Sequence, residues 1–593
     1  STPSATGARV VPGKVFVNNG FWDTYRTTWP AYALLTPGSA GEFVDGFLQQ
    51  YRDGGWIARW SSPGYADLMV GTSSDVAFAD AFVKEVTGFD VETVYAAGLK
   101  NATVRPPNDH VGRKGLDSSR FLGYPAVEST DEAMSWAMDG YINDAGLAMM
   151  AEKLAGRCED GDPRRGRYLA EQAYFSRRAR GYVHLFDPTV GFFQGRLADG
   201  ARRLTPEEFD PCVWGHDYTE TNAWNMAFHV PHDGQGLAQL YGGREGLAAK
   251  LDEFFATPET GAEEFKGSYA RVIHEMTEAR DVRMGMYGHS NQPAHHIAYM
   301  YLAAGQPWKT QEKVREVLAR LYLGSEIGQG YPGDEDNGEL SAWQVFSALG
   351  FYPLQVGRPA YAIGSPLFTK ATVHLENGRD LVVHAPDNSP DHIYVQALKV
   401  DGRAYDETTL PHDVLAHGAV LEFEMGPRPS TWGSDPGCAP ASLTQAGCSP
   451  QPLVDVTTGA GVSATEGVAA ERLFDDTASV DVTFDSPESW VQCAVDSSSM
   501  DSASPIEFYT LTSATIGGDP TGWVLKGSRD GVHWDVLDSR AKEEFRWRSQ
   551  TRVFAIARPV ACRYFRIEFT GTGRFALAQM ELLAAPGEAT TDT

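Results

Sequence analysis

The sequence predicts a multidomain chain: an all-α helical toroid over residues 14–360, a small β-sandwich region at 361–426, a linker at 427–452 and a second all-β domain at 453–585. Three observations predict it. The 593 residues exceed the roughly 250–300 that one hydrophobic core organises. Apolar residues recur at three- and four-residue steps up to about residue 350 and at two-residue steps beyond it, the periods of helix and strand. Between 427 and 452 Pro, Gly and Ser dominate, the composition of a connecting segment.

The helical period is clearest in Asp131–Asp139, Asn143–Ala155, Arg164–Phe186 and Thr310–Leu323. Such amphipathic segments joined by Gly/Pro-rich loops suggest a toroid whose long loops meet at one end. From Tyr361 to about Phe423 alternation takes over, as in Ala371-Thr-Val-His-Leu, with turns at Asp401-Gly and His417-Gly, the signature of a sandwich of short strands. No internal repeat is visible, and low-complexity segments are confined to the linker and the termini.

A formal charge of -28 and a pI near 4.9 exclude nucleic acid and anionic membranes as partners, since both select a basic surface. No apolar run approaches the roughly 18 residues of a membrane-spanning helix, and the chain opens at Ser-Thr-Pro-Ser without Met, as expected of a processed or trimmed extracellular protein. Six cysteines allow up to three disulfides, and Cys438 and Cys448, close in a Gly/Pro/Ser-rich stretch, suit a loop-closing bridge. No Cys-x2-Cys or His-Glu-x-x-His spacing occurs, which argues against zinc.

The stretch with most chemistry in it is Gly328-Gln-Gly-Tyr-Pro-Gly-Asp-Glu-Asp-Asn-Gly-Glu-Leu-Ser-Ala-Trp343. Asp334 and Asp336 stand two residues apart in a constrained turn, where like charges raise each other's pKa and serve a water, a metal or a substrate. An EF-hand is excluded, because its required glycine would fall on Glu339. Other blocks mix aromatics with hydrogen-bonding groups: Trp22, Asp23 and Arg26 in 20–30; Trp56 and Trp60 around Arg59; Glu220, Asn222, Trp224, His232 and Asp233 in 217–233; Asn291, Gln292, His295 and His296 in 288–301. Each alone is as easily a core residue. Together they suit a sugar ring, with its apolar face and polar rim, and their oxygen-rich loops favour Ca2+ over softer metals.

Residues Asp519, Pro520, Trp523, Leu525, Gly527, Ser528, Asp530, Gly531 and Trp534 give the C-terminal part a resemblance to the discoidin, or factor 5/8 type C, family. That resemblance implies a β jelly roll which either binds sugar or is structural. Residues 14–425 resemble glycoside hydrolase family 92, through Phe21-Trp-Asp-Thr-Tyr-Arg, Asn291-Gln-Pro-Ala-His-His, Ala304-Gly-Gln-Pro-Trp-Lys-Thr-Gln311, Gly333-Asp-Glu-Asp-Asn-Gly, Ser347-Ala-Leu-Gly-Phe-Tyr-Pro353 and Ile363-Gly-Ser-Pro-Leu-Phe368.

This resemblance implies an (α/α)6 toroid behind an N-terminal β-sandwich, and a secreted, calcium-dependent, inverting exo-α-mannosidase. It implies Asp336, helped by Asp334, as general base, with the calcium holding sugar hydroxyls and Glu220 and Asn291 as candidate ligands. Two departures stand out. The N-terminal β-sandwich expected of the family is missing from this chain, which leaves two alternatives: a companion fragment, or a stretch of sequence that does not include it. Where the family has Gly-Asn-Glu-Pro, this chain has Gln292, and an amide has no proton to give at neutral pH. If Gln292 vacates the acid position, the leaving group must depart unprotonated. A phosphodiester does so readily, which points to mannose-1-phospho-6-mannose caps as substrate and terminal mannose-6-phosphate as product. The alternatives are an ordinary α-1,2/α-1,3-mannosidase of N-glycans with Glu220 as acid, and a non-catalytic glycan-binding protein.

Overall fold

The computed structural model describes residues 10, 12–322, 330–486, 488–495, 505–571 and 573–584; Gly328, Gln329 and Leu323 of the segments above lie outside them. Helices occupy the part up to Leu349, two small sheets follow, and a separate β-sandwich ends the chain.

The two segments Asp131–Asp139 and Asn143–Ala155 merge into one 25-residue helix, Ala133–Arg157, buried over most of its length. It is apolar nearly all round and so lies inside, packed on the helices Ser74–Val83 and Pro163–Arg178. Gly146 permits one of these approaches, since a Cβ there would stand 2.9 Å from the Val76 Cα. Arg164–Phe186 is not a single helix. Asp162 caps Pro163–Arg178 through the Arg164 N–H, and the chain then tightens into a 3-10 turn at Gly181–His184 before the strand Phe186–Asp187 pairs with Phe192–Phe193. Gly181 sets that change of direction by pressing on the Tyr141 ring, 2.5 Å from where a Cβ would be.

Beyond the helices, one sheet has five strands in the order Arg403–Ala404, Tyr394–Val400, Val420–Gly426, Asp380–His384, Lys370–His374, and a second has three, Thr409–Pro411, Ala360–Ile363, Phe351–Tyr352. Their alternating apolar residues enclose a core with Leu381, Val383, Leu421 and Phe423, joined by Leu34 and Phe346 from helices. The sheet is thereby fused to the helical body.

The Pro/Gly/Ser-rich stretch 427–452 is a fastened strap. Trp432 is buried and donates to the Tyr405 carbonyl at 3.0 Å. Arg180 reaches the Leu443 carbonyl, and Ser442 and Thr444 bind the Asp233 carboxylate. The expected bridge between Cys438 and Cys448 is not formed. Backbone contacts hold this stretch instead, with the Cys438 carbonyl accepting from the Thr408 N–H at 3.1 Å.

Asp233 also accepts from Tyr182 Oη at 2.7 Å, so Asp233→Ala leaves several buried donors unpaired. It should cost about 3 kcal/mol or more, read as a lower melting temperature together with new proteolytic cleavage inside 434–450. Unchanged melting and an uncut strap would refute that role.

The C-terminal part is a sandwich of two five-stranded sheets. One contains Val454–Asp455, Phe575–Ala584, Ile506–Ser513, Thr551–Ala555 and Val482–Phe484, the other Gly461–Ala464, Trp490–Ala494, Tyr564–Phe569, Gly522–Ser528 and Asp535–Ala541. The residues of its sequence motif serve structure: Trp523 is fully buried and donates to Tyr509 Oη at 2.7 Å, while Ser528 and Asp530 accept from the turn N–H groups of Gly531 and of Val532 and His533. This sandwich docks on the helices, with Phe508 and Leu583 entering their core and Arg120 donating to the Ser549 carbonyl at 2.9 Å. Among the described residues no helix is long and apolar enough to cross a membrane.

Candidate active site

Four segments meet where the sequence placed its acidic loop. Glu335, the central residue of the Asp-Glu-Asp triplet, builds the loop: its carboxylate accepts the N–H groups of Gly338 at 2.8 Å and Ser341 at 3.0 Å. It thus satisfies donors that the start of helix Glu339–Leu349 leaves open. Gly333 lets the loop touch the neighbouring segment, since a Cβ there would meet Ser290 at 2.7 Å. Asp336 and Glu220 both have positive φ, +56° and +50°. Side chains pay strain in this region, and such residues cluster at functional sites.

Asp336 is half-buried and Asp334 exposed. Burial raises the Asp336 pKa; Asp334 and Glu339 push it further up, while a hydrogen bond from Gln292 pulls it down. Gln292 donates Nε2 to Asp336 Oδ2. Burial, then Asp336, holds the Asp23 carboxyl well above the usual range against the pull of Arg26. Burial also pushes Glu220 up to about 7, helped by Glu275, Glu132 and Asp336. Asp23, Glu220 and Asp336 therefore share one field, with Glu132, Glu275 and Glu339 behind them. The sequence did not assign these three acids to the site, because what joins them to it is contact across the fold; Glu339 was noted only as the residue that rules out an EF-hand glycine.

Arg26 is buried, its guanidinium over the rings of Trp22 at 5.2 Å and Tyr25 at 4.7 Å. Trp22 is buried too and donates to Asp139 Oδ2 at 3.0 Å, and Asp139 Oδ1 meets His229 Nε2 at 2.8 Å. Trp60 packs on Gly20 beside Asp23, and both would touch a Cβ at that glycine.

Several expected sugar contacts have other duties. Trp56 packs with Val104, Val111, Tyr65 and the C-terminal sandwich's Trp547, at the seam between domains. Asn222 caps the short helix Ala223–Met226 and is fully buried. Trp224 is core, edge-on to Phe192 at 4.8 Å. His232 is buried against the Ala179 carbonyl at 3.0 Å, His296 against that of Phe228 at 2.8 Å, and Asp233 holds the strap. His295 is sealed between Glu339 and the His289 carbonyl.

Asn291 joins two of the segments. Its Nδ2 donates to the Glu220 carbonyl at 2.8 Å and its Oδ1 accepts the Gln292 N–H at 3.0 Å. For calcium the donor type is right: oxygen, with buried Glu275 Oε2 and Asp23 Oδ2 lacking any partner. Yet among the described residues no three Asp, Glu, His or Cys side chains converge on one point, and the Asn291 amide is already turned to the backbone. A ready-made cage is therefore not what these residues form.

The model of the glycosyl hydrolase family 92 catalytic domain matches residues 5–427. A curated protein of Arthroderma benhamiae, described as an uncharacterized secreted glycosidase, is 25% identical over 399 residues, covering 63% of this chain and 47% of its own length. A solved family 92 inverting mannosidase of Bacteroides thetaiotaomicron is 35% identical with a TM-score of 0.64, covering 74% of this chain and 57% of that one. A family 92 α-mannosidase of the same organism, in complex with mannoimidazole, is 28% identical with a TM-score of 0.65, covering 74% of this chain and 55% of that one. The chain thus spans about half the length of these relatives.

Proposed function

Because the chain belongs to glycosyl hydrolase family 92, we propose that it is a secreted, inverting, exo-acting α-mannosidase that removes terminal α-mannose from glycans, with Asp336 as general base and Glu220 as general acid. The helical part is read as an (α/α)6 toroid with this site at its loop end. One observation favours the assignment above the others: Glu220 is pushed up to about 7 in the same acidic cluster as Asp336. It is thus a carboxyl that keeps its proton near neutrality, as a general acid must. In the reaction, ionised Asp336 takes a proton from the water whose oxygen bonds to the anomeric carbon. The bond from that carbon to the glycosidic oxygen breaks on the opposite face, and Glu220 gives its proton to the departing oxygen. Gln292 holds the base in place.

The second reading is hydrolysis of mannose-1-phospho-6-mannose caps, in which Gln292 marks a vacated acid position and the phosphate leaves as an anion. Gln292 lies against Asp336, on the side of the base, which supports this reading less well than the first. Family members generally depend on calcium. When bound, the ion would hold hydroxyls of the terminal mannose, and Glu275, with its orphan oxygen, is the side chain best suited to it, completed by carbonyls and water. Glu220 cannot be both ligand and acid, since a cation would keep it ionised.

The deciding experiment measures mannose release from an α-1,2-mannobiose and from mannose-1-phospho-6-mannose, each with calcium and with a chelator. Turnover of the mannobiose is expected. Turnover of the phosphodiester alone would overturn the acid role of Glu220 in favour of the second reading, and no turnover of either would favour a glycan-binding protein.

A further inference from the structure

Two contacts cross the site in register. Gln292 meets Asp336, and three residues further along both segments His295 meets Glu339; each pair is 44 residues apart in sequence. His295 Nδ1 lies 2.7 Å from Glu339 Oε1 and both side chains are fully enclosed. The other ring nitrogen, Nε2, is 2.9 Å from the His289 carbonyl. A carbonyl only accepts, so Nε2 must bear a hydrogen, and one further proton is shared between Nδ1 and the carboxylate. The pair is thereby fixed in one orientation.

Glu339 also gathers the remaining parts. Its backbone N–H donates to the Asp336 carbonyl at 3.2 Å, and Thr27, next to Arg26, donates Oγ1 to the Glu339 carbonyl at 2.8 Å. Trp343, one helical turn on, donates to the His295 carbonyl at 3.0 Å. Three segments, those of Arg26, Gln292 and Asp336, are tied at one buried residue: the Glu339 carboxylate holds His295, and its backbone holds Thr27 and Asp336.

We infer that His295 and Glu339 form a clasp that sets the position of the general base, so that both are positioning residues for the reaction and not sugar contacts. This rests on the reading of Asp336 as base. A base displaced by about 1 Å loses on the order of 10²-fold in rate while substrate binding is spared. The clasp therefore acts on kcat and not on KM.

The test compares Glu339→Ala, Glu339→Gln and His295→Phe with Asp336→Asn, on an α-mannobiose, well below each melting temperature. Glu339→Ala and His295→Phe should lose about 10²-fold in kcat with KM little changed. Glu339→Gln, whose amide can still hydrogen-bond a neutral imidazole, should recover part of the loss. If His295→Phe does not fold, the Ala and Gln variants of Glu339 decide the matter between them. Folded variants with wild-type kcat, or with KM raised and kcat unchanged, would overturn the clasp. Activity persisting in Asp336→Asn would instead sink the assignment of the base.

Discussion

Asp336→Asn is expected to lower kcat for mannose release by about two to four orders of magnitude with little change in fold. The isosteric amide keeps the loop, whose shape comes from Glu335 and the glycines, but cannot accept the proton of the attacking water. It also removes one of the carboxylates that crowd Asp23 and Glu220, so the melting temperature should hold or rise. Steady-state kinetics with thermal melting checks both halves. A loss of activity accompanied by collapse of the melt would assign Asp336 to stability, and retained activity would assign the base elsewhere.

Glu220→Gln has the second large effect, and it depends on the substrate. With an ordinary sugar as leaving group kcat should again fall by about two to four orders of magnitude. With an aryl mannoside whose phenol is acidic it should fall far less, because such a leaving group needs no proton. The pH dependence follows from the same groups. Glu220 must be protonated, so activity declines as pH rises through about 7. Asp336 must be ionised and its pKa is raised, so activity declines as pH falls through that raised value. The alkaline limb should disappear in Glu220→Gln when the aryl substrate is used. An unchanged alkaline limb would mean that another group titrates there.

How much of this was legible in the sequence depends on whether a residue's role is local. Asp336 stood out because its constraints, the glycines, the proline and the neighbouring acids, lie within a few positions of it. The order of helical part, small sheets and final β domain was legible from a change in period. Glu275, Glu132 and Glu339 were not, since what distinguishes them is contact across the fold. Trp56, Trp224 and Asp233 show the converse, since the structure gives each of them packing or hydrogen-bonding contacts that the sequence did not foretell. An aromatic or an acid in a polar block looks alike whether it faces a sugar, a domain seam or a strap, and burial is settled only by packing. The helix Arg164–Phe186 was drawn too long, because the contact of Gly181 with Tyr141 has no signature in periodicity.

The strap has a practical consequence for anyone wishing to cut this protein in two. The family match stops at residue 427, and that point invites a scissor. A catalytic fragment ended there would discard Trp432, Ser442 and Thr444, leaving the Asp233 carboxylate with only its donors inside the helical part and the Tyr405 carbonyl without the Trp432 donor. Ended after residue 452, the fragment keeps those partners and gives up only the surface on which the last domain rests. Composition marks 427–452 as a hinge between modules, yet in the folded molecule it is the closing hem of the catalytic one, and a shorter fragment would unravel from that edge.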